Sequence, residues 1–330
     1  KFSLSKKYFL EAFKLNPEYP YLKGAIRFIK NTLCEWNDYE KELIELENDI
    51  KNKKKVTTPW QALSLFESPI TQLENTLLFT EKQNESLLDI IPKKKINIAY
   101  ISANFCEHAV SNQISEIFKL HNKKKFNTFG FYLGTKNDKK LKEIKNSFNK
   151  FFDISQISTE KVIQIIKDLK IDIAIDLMGF TNSNRYKIFE KRCAPIQASY
   201  LGFAGTTGLK NMDYLIADKN VILSNYKKYY SEKTIYLPNS FMPNNENQII
   251  SKKKFTKAEE GLPENTVVYC CFNKHYKITP RVFDIWIDIL KNVENSILWL
   301  NSAEQSTKNN LLEYSKKKGL SSKRIIFTER

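Results

Sequence analysis

The middle of the chain alternates two patterns of apolar residues. Between residues 96 and 243, short apolar runs rich in β-branched and aromatic residues alternate with stretches in which apolar residues recur every three or four positions. The first pattern is typical of buried strands and the second of amphipathic helices, so together they predict an α/β fold with a doubly wound parallel sheet. The predicted strands are 96–102, 126–133, 151–154, 171–178, 196–201, 214–217 and 234–237.

A second alternation of strand and helix begins at residue 266. The apolar run 266–271 predicts a buried strand, and Thr279 and Pro280 behind it suit the N-cap and the first position of a helix. Further strands are predicted at 296–300 and 325–327, which makes about half of a second Rossmann-like lobe. The helix between the first two strands is predicted from apolar residues at helical spacing, namely Val282, Ile285, Trp286, Ile289, Leu290 and Val293.

The first fifty residues predict helices. Residues 8–17 have the ending of a tetratricopeptide unit, a small residue in an apolar stripe followed by an Asn-Pro pair. Because one repeat buries its apolar face only against neighbouring repeats, we expect this unit to be the last repeat of a longer array. The alternative is an isolated helical hairpin. The chain starts at Lys1 rather than at Met and stops at Arg330 just after a predicted strand, so we expect a fragment.

Composition indicates a globular protein and argues against nucleic-acid binding. Of the 330 residues, 42% are hydrophobic, and there are 22 Phe and 16 Tyr. Lys and Arg outnumber Asp and Glu by 53 to 37, a formal charge of +16. The lysines are spread along the whole chain and form no basic stripe interleaved with aromatic residues. We therefore expect no nucleic-acid partner.

The cysteines and the apolar runs bear on the cellular compartment of the protein. The five cysteines are scattered and odd in number, and none belongs to a Cys-x-x-Cys motif. This pattern favours a reduced, cytoplasmic environment without structural zinc. No apolar run has the length of a membrane span and no secretory signal stands at the start, so no membrane association is expected.

The first candidate for chemistry is Lys277. It lies in the short loop between the predicted strand 266–271 and the helix that begins at Pro280. Ligands of open α/β sheets bind at the carboxyl ends of the strands, and helix N-termini attract phosphate. A lysine in this loop therefore suits a phosphate-bearing ligand. The alternative is a solvated loop lysine, which the loop alone favours in so lysine-rich a chain.

The residues around Lys277 resemble a known family. The pattern is Phe272-Asn273-x-x-Tyr276-Lys277-Ile278-x-Pro280, and a helix containing Trp and the strand 296–300 follow it. It is similar to that of the protein O-linked N-acetylglucosamine transferases and their SPINDLY-type relatives, and the resemblance extends over about residues 8–330. In that family the lysine of this motif contacts the diphosphate of the nucleotide sugar.

The resemblance implies a two-lobed B-type glycosyltransferase fold. We expect two Rossmann-like lobes facing a cleft, preceded by a helical tetratricopeptide-like segment, with the second lobe truncated. The predicted parts are a helical end of the repeat array (1–50), a linker with bridging helices (51–95), the first lobe (96–243), an interlobe linker (244–258) and the N-terminal half of the nucleotide-sugar-binding lobe (259–330).

A second candidate is His108, which follows the first predicted strand. An imidazole at the sheet edge can accept or relay a proton, although a loop histidine is more often a hydrogen-bonded surface group. The related transferases have Asp-Phe-x-x-His here, with the histidine at the active site and a proton-accepting role assigned to the Asp. This chain has Asn104 in place of that Asp, and an amide cannot take a proton at neutral pH.

Other candidate residues are substrate-binding ones. Arg185 follows the segment Gly179-Phe-Thr and could enter the cleft from the next helix, or lie on a solvated helix face. The glycine-rich stretch 202–208 is a weak signal by itself, but the resemblance implies that Gly202 and Ala204 line the sugar and acceptor site. Relatives have proline where Ala204 stands. Tyr276 is expected to shape the diphosphate site, and Lys274 adds a second positive charge to it.

The predicted function is an inverting glycosyltransferase that moves N-acetylglucosamine from UDP to Ser or Thr hydroxyls of proteins. His108 and Lys277 are the expected catalytic residues, and no metal or other cofactor is expected. The expected partners are the nucleotide sugar and a peptide acceptor held by upstream repeats. Two alternatives remain: a GDP-fucose-using O-fucosyltransferase of the same family, and a catalytically silent peptide- or nucleotide-binding relative, which Asn104 suggests.

Overall fold

The structure, a computed structural model, describes residues 1–80, 84–246 and 248–328. Residues 81–83 of the predicted bridging segment, residue 247 of the predicted linker and the last two residues lie outside the described part. The chain divides into two compact units, one formed by Lys1–Glu67 with Ile250–Arg330 and the other by Ser68–Ile249. The five parts predicted from the sequence, with their boundaries, stay predictions.

The unit Ser68–Ile249 contains a parallel sheet of seven strands in the order β3-β2-β1-β4-β5-β6-β7. The helices of this unit are α5 (Pro69–Phe79), α6 (Ala109–Leu120), α7 (Lys139–Lys145), α8 (Thr159–Asp168) and α9 (Lys187–Glu190). The strands are β1 (Ile96–Ser102), β2 (Phe126–Tyr132), β3 (Lys150–Asp153), β4 (Ile173–Asp176), β5 (Ile196–Tyr200), β6 (Tyr214–Ala217) and β7 (Lys233–Tyr236). All seven coincide with predicted strands to within a few residues, and the α/β prediction is confirmed.

Both faces of this sheet are buried. Ala99 and Ile101 of β1 point into an apolar cluster that includes residues of α8 and α9. Ile98 and Tyr100 point into a second cluster that includes residues of α6 and α7. Since side chains alternate along a strand, helices cover the sheet on both sides, which is why its strands are continuous apolar runs in the sequence.

The other unit joins the start of the chain to its end. Its helices are α1 (Phe2–Leu15), α2 (Leu22–Thr32), α3 (Tyr39–Lys51), α4 (Pro59–Leu65), α10 (Pro280–Asn292) and α11 (Gln305–Lys317). Its strands, β8 (Val267–Cys271), β9 (Ser296–Leu300) and β10 (Ile325–Phe327), form a parallel sheet in the order β10-β9-β8. Cys34 and Trp36, which follow α2, belong to the core of this small sheet, so the N-terminal helices are part of its packing.

Helix α10 begins as predicted but buries a different stripe from the predicted apolar positions. Thr279 caps it, accepting a hydrogen bond from the Val282 N–H, and Pro280 is its first residue. Its buried residues are Phe283, Ile287 and Leu290. Ile285 and Ile289 are 51% and 39% exposed. Because apolar residues occupy most of the circumference of this helix, their spacing predicts a helix but does not decide which side faces the core.

The residues described include no helix with the length and apolar character needed to cross a membrane.

Candidate functional site

Three loops that carry predicted site residues meet at one edge of the seven-stranded sheet. Strand β1 pairs with β4, and β4 pairs with β5, in parallel. The loops 103–108, 177–185 and 201–208 follow these strands, so they start side by side at the carboxyl edge. The chain order of the strands reverses beside β1, since β2 and β3 lie on one side of it and β4 to β7 on the other. In open α/β sheets such a reversal forms the crevice in which ligands bind.

His108 caps helix α6 and is exposed to solvent. Its Nδ1 accepts a hydrogen bond of 3.2 Å from the Val110 N–H. A neutral imidazole that accepts at Nδ1 carries its proton on Nε2, so Nε2 is a hydrogen-bond donor here. This arrangement favours donation to an oxygen of a ligand over acceptance of a proton by Nε2. The catalytic role of His108 stays a prediction.

We expect His108 to titrate below the ordinary histidine range. Partial removal from water lowers the pKa of His108, and the nearby Lys136 ammonium lowers it further. Both effects disfavour the imidazolium, so the ring is neutral at pH 7. In an NMR titration of the three histidines, the Lys136→Ala variant should raise the pKa of His108 and leave those of His121 and His275 unchanged. An unchanged pKa of His108 in this variant would contradict the stated cause.

Asn104 connects the ends of β1 and β4. Its backbone N–H donates to the Ser102 hydroxyl at 2.9 Å, and its side-chain amide lies 3.4 Å from the Met178 sulfur. Its carbonyl accepts from the Ser111 hydroxyl of helix α6. The side chain is therefore half-buried and fixed at the edge where β1 and β4 end. Substrate binding by Asn104 stays a prediction.

Asp176 holds the turn after β4. It is 3% exposed and accepts hydrogen bonds from the backbone N–H groups of Met178 and Gly179, at 2.9 and 3.1 Å. Burial raises the pKa of Asp176 to about 6, although these two bonds act in the opposite direction. Gly179 has a φ of +53°, and a Cβ there would lie 2.3 Å from the Cβ of Phe203. The carboxyl group thus shapes a turn that only glycine fits.

Arg185 is bound to the protein itself. Its guanidinium donates to the Ile154 carbonyl at 2.9 Å and to the Thr159 hydroxyl at 3.0 Å. These bonds tie the chain after β4 to the connection between β3 and α8. Contact of Arg185 with a substrate stays a prediction, and any such contact has to use donors that these two bonds leave free.

The loop 201–208 is anchored by tight packing beneath its tip. A Cβ at Gly202 would lie 1.9 Å from the Leu177 carbonyl oxygen, so the two backbones touch here. Phe203 is 2% exposed and packs edge-on against Phe180, with ring centroids 5.5 Å apart. Ala204, by contrast, is exposed. Gly202 therefore supplies close approach, and Ala204 is the accessible tip of a well-packed loop.

Lys277 lies in the other unit, at the carboxyl edge of β8. A short 3-10 turn, His275–Lys277, connects the strand to the start of α10. The lysine is exposed, and its Nζ lies 3.4 Å from the Asn273 side-chain oxygen. Among the described residues no carboxylate lies within ion-pair distance of it. Lys277 thus presents an uncompensated positive charge next to a helix N-terminus, as predicted.

Helix α2 supports this turn from behind. The rings of Phe28 and Tyr276 lie 5.0 Å apart, and the Cys34 thiol lies 3.9 Å from the His275 carbonyl. His275 is half-buried, and burial lowers its pKa. No sequence pattern indicates that the N-terminal helices position the Lys277 turn, because these residues are about 240 positions apart in the chain.

A cavity of about 630 Å³ lies in the same unit, where β8 and β9 end. Phe28, Trp60 and Tyr276 supply aromatic walls, and Lys274 adds an exposed ammonium group. Two of the predicted substrate-binding residues, Lys274 and Tyr276, therefore line a space large enough for a small ligand. In the described part of the chain, no three His, Cys, Asp or Glu side chains are grouped to hold a metal ion.

Two parallel Rossmann-type sheets, each with polar loops at its carboxyl edge, are the architecture of the B-type glycosyltransferase fold. The sequence profile of glycosyl transferase family 41 matches residues 73–255 and 246–330. The chain belongs to this family.

Curated relatives support the same assignment. The chain is 30% identical over 324 residues to the probable UDP-N-acetylglucosamine–peptide N-acetylglucosaminyltransferase SEC of Arabidopsis thaliana, covering 90% of this chain and 33% of that protein. It is 22% identical over 429 residues to a UDP-N-acetylglucosamine–peptide N-acetylglucosaminyltransferase of Caenorhabditis elegans, covering 90% and 37%. The chain thus spans about a third of the length of these relatives.

A solved structure confirms the fold. A mutant O-GlcNAc transferase of Thermobaculum terrenum matches 99% of this chain and 64% of its own, with a TM-score of 0.78 and 18% identity. The predicted B-type glycosyltransferase architecture is therefore confirmed.

Proposed function

We propose that the protein containing this chain transfers N-acetylglucosamine from UDP to Ser or Thr hydroxyls of proteins, with inversion at the sugar. Family membership and the activities of the named relatives support this donor and this acceptor. The observation that carries the proposal is the exposed Lys277, unpaired among the described residues and set directly before helix α10. The related GDP-fucose reaction finds no support in the names of these relatives.

Lys277 is the proposed electrostatic catalyst. Negative charge builds on the diphosphate as the bond to the sugar breaks, and a fixed ammonium group stabilises that charge most in the transition state. The N-terminus of α10 adds partial positive charge on the same side of the loop. In this proposal lysine and helix balance the phosphate charge, and neither a metal nor another cofactor takes part.

The remaining residues have proposed roles in binding. His108 donates from Nε2 to an oxygen of donor or acceptor, next to Asn104 at the end of β1. Lys274 and Tyr276 border the donor, while Gly202 and Ala204 border the sugar and acceptor. Arg185 uses its remaining donors toward substrate. Tetratricopeptide repeats preceding α1 hold the acceptor polypeptide, in the cytoplasm.

The test is sugar transfer by the full-length protein to an acceptor polypeptide, with labelled UDP-N-acetylglucosamine and GDP-fucose compared side by side. We expect label from the first donor only. Transfer from GDP-fucose alone would replace the donor assignment. Donor binding without transfer would favour a silent relative, for which the amide of Asn104 is the specific observation. In that case Asn104→Asp, which places a carboxylate at this position, should restore turnover.

A further inference from the structure

A buried carboxylate outside the predicted site lies directly beneath the loop 201–208. Glu232 immediately precedes β7 and is 4% exposed. Its Oε1 accepts from the Thr207 N–H at 2.6 Å and also from the Thr207 hydroxyl. Its Oε2 accepts from the Thr206 hydroxyl at 2.8 Å. All of these donors are neutral, and among the described residues no Lys or Arg forms an ion pair with Glu232.

Burying a carboxylate without a cation costs free energy, and hydrogen bonds from its neighbours have to offset that cost. Transfer of an isolated carboxylate out of water is strongly unfavourable unless hydrogen bonds satisfy it. Bonds to an ionised acceptor are also stronger than those between neutral groups. Glu232 thus fixes both threonines more firmly than a neutral side chain would. The backbone N–H of Ser231, 3.0 Å from the Thr206 hydroxyl oxygen, adds a further bond to the same group.

These bonds fix the second half of the loop, as Gly202 and Phe203 fix the first. Thr206 and Thr207 are 4% and 1% exposed. The Gly208 N–H, 3.4 Å from the Thr206 hydroxyl oxygen, closes the loop at a positive φ of +63°. Ala204 alone of residues 203–208 is exposed. The exposed tip therefore lies between two fixed segments, one held by apolar packing of Phe203 and the other by hydrogen bonds to Glu232.

We propose that Glu232 is a positioning residue that holds the tip of this loop in its binding conformation. The inference rests on the proposed function, in which Ala204 borders the sugar and acceptor. Ala204 does not restrict its own backbone, as a proline at this position would. In this chain the rigidity of the tip has to come from its anchors, and Glu232 provides the polar one.

The main test compares Glu232→Ala with Glu232→Gln in the full-length protein. Alanine leaves the threonine donors without an acceptor, and kcat/KM for sugar transfer should fall about tenfold to hundredfold, the range expected for a small misplacement of a binding element. Glutamine can keep its carbonyl toward Thr207 and turn its amide toward the Thr206 oxygen. It should therefore retain an intermediate activity, above that of Glu232→Ala, because it keeps part of the hydrogen bonding but not the charge.

A rescue separates positioning from general loss of stability. Ala204 is not one of the residues with a positive φ, a conformation that proline cannot adopt. Adding Ala204→Pro to Glu232→Ala should recover part of the lost kcat/KM by restoring rigidity at the tip. The matched control is Asp172→Asn, which weakens a half-buried carboxylate at the opposite edge of the sheet, where Asp172 pairs with Lys93 at 2.8 Å. This variant should lose stability but keep its kcat/KM.

Hydrogen–deuterium exchange gives a readout that does not depend on activity. In Glu232→Ala the backbone amides of residues 205–209 should exchange faster, while those of β4 and β5 stay protected. If Glu232→Ala does not fold, Thr207→Val, which removes one donor to the carboxylate, takes its place with the same expected direction, and Thr207→Ser should remain close to wild type.

Three results would overturn the proposal: wild-type kcat/KM in a folded Glu232→Ala protein, an equal loss in Asp172→Asn, or unchanged exchange of residues 205–209. Absence of transfer by the wild-type protein would instead contradict the proposed function. The exchange comparison would then still decide whether Glu232 holds the loop.

Discussion

Replacement of Lys277 by alanine is expected to lower sugar transfer by about 10²–10³-fold, the range found when one preorganised donor to developing negative charge is removed. The loss should appear mainly in kcat, with a smaller change in KM for the nucleotide sugar, because the ammonium group meets most of the charge in the transition state. The substitution disturbs little else, because the Lys277 ammonium group donates one long hydrogen bond, of 3.4 Å, to the Asn273 side-chain oxygen.

Two further variants make this prediction specific. Lys277→Arg keeps the charge but not the shape of the ammonium group, and it should retain an intermediate rate. Lys317→Ala removes an exposed lysine from the last turn of α11 in the same unit and should transfer sugar at the wild-type rate. If the Lys277→Ala rate were within about threefold of the wild-type rate, the loss would be far smaller than expected for an electrostatic catalyst. Lys277 would then have no catalytic role.

The strands of the first sheet could be predicted because a strand that is buried on both faces is a continuous apolar run in the sequence. Each is a run of apolar residues between polar turns, and the structure has a strand at every predicted place. The predicted strand 171–178 is longer than the observed Ile173–Asp176. Its last residues belong instead to the turn that Asp176 caps, and they are as apolar and as buried as a strand would be.

The supports of the candidate site could not be predicted in the same way. The sequence identified Lys277 and Ala204 through a local motif, but their anchors lie far away along the chain. Phe28 packs against the Lys277 turn, and Glu232 binds the Ala204 loop, in each case through contacts made only after folding. A phenylalanine in a helix and a glutamate before a strand have no pattern that distinguishes them from their neighbours.

The pair Lys191 and Arg192 shows the same limit, because the sequence presents two adjacent basic residues and the structure makes them entirely different. Arg192 is 2% exposed, whereas the side chain of Lys191 is 53% exposed and pairs with an exposed Glu160 at 3.0 Å. The guanidinium of Arg192 donates to both carboxylate oxygens of Asp213, at 3.0 and 2.7 Å, and to the Pro195 carbonyl at 2.9 Å. These bonds brace the start of β5 against the start of β6.

Arg192→Ala is therefore expected to lower the free energy of unfolding by about 3 kcal/mol, the lower end of the range for removing one partner from a buried ion pair, because the Asp213 side chain is 27% exposed. The loss leaves the Asp213 carboxylate with a backbone bond from Gln197, and it empties the space that the guanidinium filled. Lys191→Ala, the matched control, should change stability by no more than about 1 kcal/mol, because an exposed pair gains little in water. Urea denaturation of the two variants measures the difference. A loss below about 1 kcal/mol for Arg192→Ala, as small as that of an exposed pair, would mean that the bonds to Asp213 do not hold β5 and β6 together.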